Sequence, residues 1–183
     1  MTAPRPTTPS QTIGPFFHLL VEPGRERVAP PDHPDAMRLE GRVTDGAGEP
    51  VADALLEIWH ADPAGRYAHP DDPRARECDP RFTGYARAAT DPNGQYRFVT
   101  VRPGPVPAPG GGAHAPHVAM SVFARGLLDR LITRVYLAPD DTDPVLASVP
   151  DERRATLIAV DEGDRFVFDI HLQGDRETVF FEV

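Results

Sequence analysis

Leu55-Leu56-Glu57-Ile58-Trp59-His60 decides the fold class, because its side chains alternate with a period of two. In an extended strand successive side chains point to opposite faces. Leu55, Glu57 and Trp59 therefore share one face, and Leu56, Ile58 and His60 the other. The same texture of short alternating runs broken by turn signals continues along the chain from Met37. It predicts strands over residues 37–44, 55–60, 81–89, 95–101, 117–124, 131–137, 165–172 and 178–182. Asp45-Gly46-Ala47-Gly48 reads as a tight turn. Asp91-Pro92-Asn93-Gly94 reads as a hairpin turn between 81–89 and 95–101. One helix is predicted, over 150–159, where Asp151 and Glu152 put carboxylates at the positive end of the helix dipole. The expected fold is mainly β: an antiparallel β-sandwich with an irregular N-terminal arm and one short helix.

Length and composition agree with one domain. The chain has 183 residues, 40% of them apolar and 26% charged, which is a globular balance with enough chain for a real core. Its 22 prolines concentrate in residues 1–34 and 103–116, so two long irregular segments are expected. The division read from this is an extended arm over 1–36, packing on a partner chain, and a sandwich domain over 37–183. A net charge of −9 argues against a nucleic-acid or anionic-membrane surface. The single cysteine, Cys78, excludes an intrachain disulfide, and its charged surroundings, Arg76-Glu77-Cys78-Asp79-Pro80, read as a loop with an unreactive thiol. Met1-Thr2-Ala3-Pro4-Arg5-Pro6 carries no apolar leader and no run reaches membrane length, so a cytoplasmic protein is expected.

The chemistry turns on Ala115-Pro116-His117-Val118-Ala119. Two histidines at i and i+2 on a strand can offer both imidazoles to one metal ion, but here the second place is Ala119, whose methyl donates nothing. Taken alone, His117 reads as a core histidine and His114 as a solvated loop residue.

Several runs, in order, resemble the intradiol ring-cleaving dioxygenases. They are Thr8-Pro9-Ser10-Gln11-Thr12-Ile13-Gly14-Pro15-Phe16, Gly41-Arg42-Val43-Thr44-Asp45, Glu57-Ile58-Trp59-His60-Ala61-Asp62, Gly65-Arg66-Tyr67 and Thr100-Val101-Arg102-Pro103-Gly104-Pro105. Then come Ala115-Pro116-His117, Ser121-Val122-Phe123-Ala124-Arg125-Gly126, Thr133-Arg134-Val135-Tyr136 and Glu177-Thr178-Val179-Phe180-Phe181. Each run is weak by itself; their order and the span of nearly the whole chain are specific.

The resemblance implies Fe(III) held by two tyrosinates and two histidines, a set of hard oxygen donors and imidazoles that still admits a catecholate. Carried onto this chain, the four places are Tyr67, Val106, His117 and Ala119, so two donors are missing. The family includes hetero-oligomers in which a homologous beta subunit holds the iron and an alpha subunit keeps only a vestigial site. That division of labour is the implied role here, with no catalytic residue and no metal in this chain. Its contributions to the partner's substrate pocket would be Thr12, Gly14 and Pro15 of the arm, and Arg134, a permanent cation for a carboxylate. The implied substrates are O2 and a carboxylated catechol, 3,4-dihydroxybenzoate. Two alternatives stay open at this point. One is a self-sufficient dioxygenase that has rebuilt its site from Tyr67, His69, His114 and His117. The other is a non-catalytic prealbumin-like binding module, in which the arm motif, Arg134 and the Phe-rich C-terminus have no place.

Overall fold

The computed structural model describes residues 12, 14, 16, 21–109 and 111–182, and it is a sandwich of two sheets. At the centre of the first sheet lies β1 (Ala36–Thr44), antiparallel to β4 (Gln95–Val101) with Leu39 opposite Phe98. Its other edge pairs in parallel with β10 (Phe166–Val167) and β11 (Ile170–His171), and β10 is antiparallel to β9 (Val160–Asp161). The sheet is thus mixed where antiparallel pairing was expected. The predicted strand over 165–172 is broken at Phe168 and Asp169. Tyr96 donates its hydroxyl to the Phe168 carbonyl at 2.6 Å, and Asp169 Oδ1 accepts from Arg42 N. Gly41 is required here, because a Cβ on it would run into the Phe168 carbonyl.

The second sheet is antiparallel throughout, in the order β3 (Tyr85–Ala89), β2 (Leu55–Trp59), β7 (His117–Phe123), β8 (Leu131–Tyr136). Its inner face, with Leu56, Ile58, Ala86, Ala88, Val118, Met120, Val122 and Val135, belongs to the same buried core as Leu39, Val43, Phe98, Phe166 and Ile170 of the first sheet. The alternation read at 55–60 is borne out: Leu56, Ile58 and His60 are inside. The hairpin read at 91–94 is not. The turn forms, with Asp91 Oδ1 accepting from Asn93 N and Gln95 N, but β3 and β4 lie in different sheets. It is a crossing between layers, since periodicity along a strand says nothing about which neighbour it will pair with.

Instead of one helix over 150–159 there are two short ones, α1 (Pro144–Ala147) and α2 (Asp151–Arg154), the latter continuing into a 3₁₀ turn at Ala155–Leu157. They cover a second small core of Ala115, Tyr136, Leu146, Val149 and Leu157 on the outer side of the second sheet. Residues 178–182 form no strand; Phe181 N bonds Ile132 O, and Thr133 Oγ1 donates to Val179 O. The last part of the predicted arm packs on this chain itself. Val28 is fully buried, its N–H bonds Val99 O and its carbonyl accepts from Thr83 N, while Arg25 O accepts from Arg87 N. Residues 25–28 thereby cover the edge strands of both sheets, which would otherwise expose unpaired backbone groups.

Candidate functional site

The outward face of the second sheet carries the residues singled out in the sequence. The pairing register sets Trp59 beside Ala119 and Ala119 beside Arg134, with His117 opposite Tyr136 one row away. Tyr67 is brought over this face by a turn: Asp62 Oδ1 accepts from Ala64 N and Arg66 N, Arg66 Nε donates to Asp62 Oδ2 at 2.8 Å, and Tyr67 N donates to Asp72. The phenol ring then stacks on Trp59, with centroids 5.7 Å apart and planes 7° from parallel. The strip around residue 104 presses against this turn. Gly65, at φ +71°, and Gly104 each have a carbonyl, of Pro105 and Pro63, where a side chain would begin. Val106 follows in β5 (Val106–Pro107), paired with β6 (Ala113–His114) so that Val106 faces His114 across the ribbon.

His117 is buried and donates Nδ1–H to the Ala115 carbonyl at 2.7 Å. That bond leaves Nε2 with its lone pair, the arrangement of a metal-ligating imidazole. Burial lowers its pKa to about 4, opposed by the Ala115 carbonyl and reinforced by the charge of Arg134. Burial also raises the Tyr67 phenol, against the pull of Arg134, so this donor stays protonated. Tyr136 donates to Asp143 Oδ1 at 2.8 Å, and burial pushes its phenol far above the ordinary range.

His114 is not the solvated loop residue expected. Its side chain is 12% exposed, with Nδ1 3.3 Å from Asp143 Oδ2 and 3.4 Å from Arg134 Nη1. One nitrogen can donate to the carboxylate or accept from the guanidinium, not both at once. Asp143 itself is fully buried. Burial favours its neutral form, but hydrogen bonds from Leu146 N, Tyr136 and Ala115 N, with His114 nearby, outweigh this and hold its pKa below the usual value. Sequence reasoning missed this residue. Asp143-Pro144 was the available signal, a capping carboxylate followed by proline in the first helical position.

These residues do not fit a ferric ion. Val106 and Ala119 bring no donor, and Arg134 adds a positive charge to the same face. The rebuilt set does not gather either: His69 stands edge-on to Trp59 with half its side chain exposed. Among the described residues no group of three or more His, Cys, Asp or Glu side chains could hold a metal ion. Cys78 is buried with its thiol toward Arg66 O, and burial raises its pKa. In the arm, Thr12 Oγ1 accepts from Gly14 N at 3.4 Å, Gly14 has φ +76°, and the Phe16 ring is 72% exposed. Pro15 lies outside the described residues.

Residues 25–174 match the family model described as Dioxygenase. The chain is 40% identical over 199 aligned positions to the protocatechuate 3,4-dioxygenase alpha chain of Burkholderia cepacia, covering 96% of this chain and 97% of that one. It is 34% identical over 196 positions to the protocatechuate 3,4-dioxygenase beta chain of Burkholderia cepacia, covering 94% and 78%. Among solved structures, the mercury-inhibited catechol 1,2-dioxygenase of Acinetobacter sp. ADP1 aligns with a TM-score of 0.58 at 26% identity, covering 86% of this chain and 60% of that one.

Proposed function

This chain belongs to the intradiol dioxygenase family, and from that premise we propose that it is the iron-free alpha-type subunit of a protocatechuate 3,4-dioxygenase. Together with a homologous beta-type chain it would take 3,4-dihydroxybenzoate and O2 to 3-carboxy-cis,cis-muconate. The bond between the two hydroxyl-bearing carbons is cleaved and both oxygen atoms enter the product. In this reading the protein acts in aromatic catabolism, at the ring-opening step of the β-ketoadipate pathway, in the cytoplasm. Among the described residues no helix is long and apolar enough to cross a membrane.

Fe(III), held by the beta-type partner, supplies activation of the catechol diol toward O2. The residues of this chain bind and orient. Thr12, Gly14 and Pro15 of the arm, with Arg134, line the partner's pocket in this reading, and the exposed Phe16 ring suits an arm laid on another chain.

The observation that carries the choice of a carboxylated catechol is Arg134. Arg134 is half-buried, yet among the described residues no carboxylate lies within ion-pair distance of it; its polar contacts are the neutral side chains of His114 and Tyr136. Asp143 is reached only through His114 and Tyr136, and a partly desolvated cation with no direct ion pair is suited to a substrate carboxylate.

The test is expression of the chain alone and with its beta-type partner. Iron content, visible absorption and protocatechuate-dependent O2 uptake are then measured on each. The chain alone should be colourless and inactive, and the pair coloured and active. A tyrosinate-to-iron band in the lone chain would overturn the proposal. In the active pair, Arg134→Ala should raise KM for protocatechuate by about tenfold or more, the loss of one charge-assisted contact, with iron loading and assembly retained. An unchanged KM would remove Arg134 from the pocket.

A further inference from the structure

We propose that the guanidinium of Arg134 stands, within this chain, in the place that a metal ion takes in the iron-holding members of the family. The site would then be filled by a built-in cation, not merely stripped of donors. The inference rests on the family reading above and deepens it.

Three observations locate the guanidinium. The β7–β8 register sets Arg134 directly across from Ala119, where the second histidine of the strand pair would project. A methyl group at 119 leaves that side of the sheet to its neighbour. Arg134 Nη1 then reaches His114 Nδ1 at 3.4 Å, and the His114 ring lies 5.9 Å from that of His117. Arg134 also hydrogen-bonds Tyr136, and its charge bears on Tyr67 and His117, in keeping with that position.

The chemistry of the exchange is consistent. Tyr67 and His117 carry lone pairs suited to a cation, and the backbone-bonded Nδ1–H of His117 leaves Nε2 free to accept. A guanidinium brings a permanent positive charge and five N–H donors to such lone pairs without needing anionic ligands. An entering metal ion would meet a like charge a few ångströms away. With contacts to His114 and Tyr136, the guanidinium still has N–H donors left among its five for the substrate carboxylate proposed above.

The test restores a donor and asks whether Arg134 blocks it. Ala119→His and the combined Ala119→His, Arg134→Gln variant are titrated with Co2+ as full-length chains, following the visible spectrum, with thermal melts to establish folding. The combined variant should bind about one ion per chain and at least about tenfold more tightly than Ala119→His alone, as expected once the like charge is gone. Equal affinities with and without Arg134 would overturn the proposal. So would a folded combined variant that binds no better than the unaltered chain. Should an imidazole at 119 spoil folding, Ala119→Cys offers a smaller donor for the same comparison. The titration needs neither partner nor substrate, so failure of the subunit assignment would appear separately, in the co-expression assay.

Discussion

Asp143→Ala is expected to lower the melting temperature of this chain by about 10 °C or more, the consequence of losing about 3–5 kcal/mol. The Asp143 side chain is fully buried and accepts from Val145 N and Leu146 N at the start of α1, from Ala115 N ahead of β7, and from the Tyr136 hydroxyl. Alanine would strand all of these donors away from water, each at about 1–3 kcal/mol before relaxation. Asp143→Asn should recover only part of the loss, because its amide N–H₂ would face a donor on one side or the other. Calorimetric melts of the three proteins decide the matter. A shift of less than about 3 °C for the alanine variant would show that the carboxylate does not organise this corner.

Stability should also fall steeply as the pH drops from about 6.5 to about 4, through His60 and His117. His60 is buried between the sheets, donating Nδ1–H to Ala61 O while Nε2 accepts from the Thr100 hydroxyl. Burial lowers its pKa from 6.5 to about 4, opposed by the Ala61 carbonyl, and His117 is lowered equally far. Above the ordinary value both rings are neutral in the folded and unfolded chain, and their contribution is constant. Between the two values the unfolded chain binds protons that the folded chain refuses, so the folded state loses ground as pH falls. Each ring can account for up to about 3 kcal/mol by the linkage between pKa and stability. Carboxylates whose pKa is lowered in the fold, such as Asp79 at about 2, lose their contribution only further down, below their ordinary value of 3.8. Urea unfolding at a series of pH values tests this. A midpoint that stays level from about pH 7 to about pH 4.5 would contradict it.

Much of the molecule was legible in the amino-acid sequence, for identifiable reasons. Alternation at Leu55–Trp59 named both the strand and its inward face, because side-chain direction in a strand depends only on position along it. The order of the motifs from Gly41 to Phe181 identified the family, and the absence of donors at Val106 and Ala119 is a statement about residue type that needs no coordinates. The crossing at residues 91–94 was misread as a hairpin for a related reason: turn chemistry is local, whereas the choice of pairing partner is not.

Which side chains meet is settled by the folding of distant segments onto one another. His114 and Asp143 are 29 residues apart and Arg134 and His114 are 20 apart, yet they converge on one face. Nothing in their local sequence announces this, because the meeting is produced by the register of β7 against β8 and by α1 folding back over the sheet. Residue types and their order were enough for a β-sandwich of the intradiol family with two donors missing. The packing of the two sheets and the short helices decided that the gap has a positive charge beside it, since a guanidinium on a long side chain goes where its neighbours leave room and offer lone pairs.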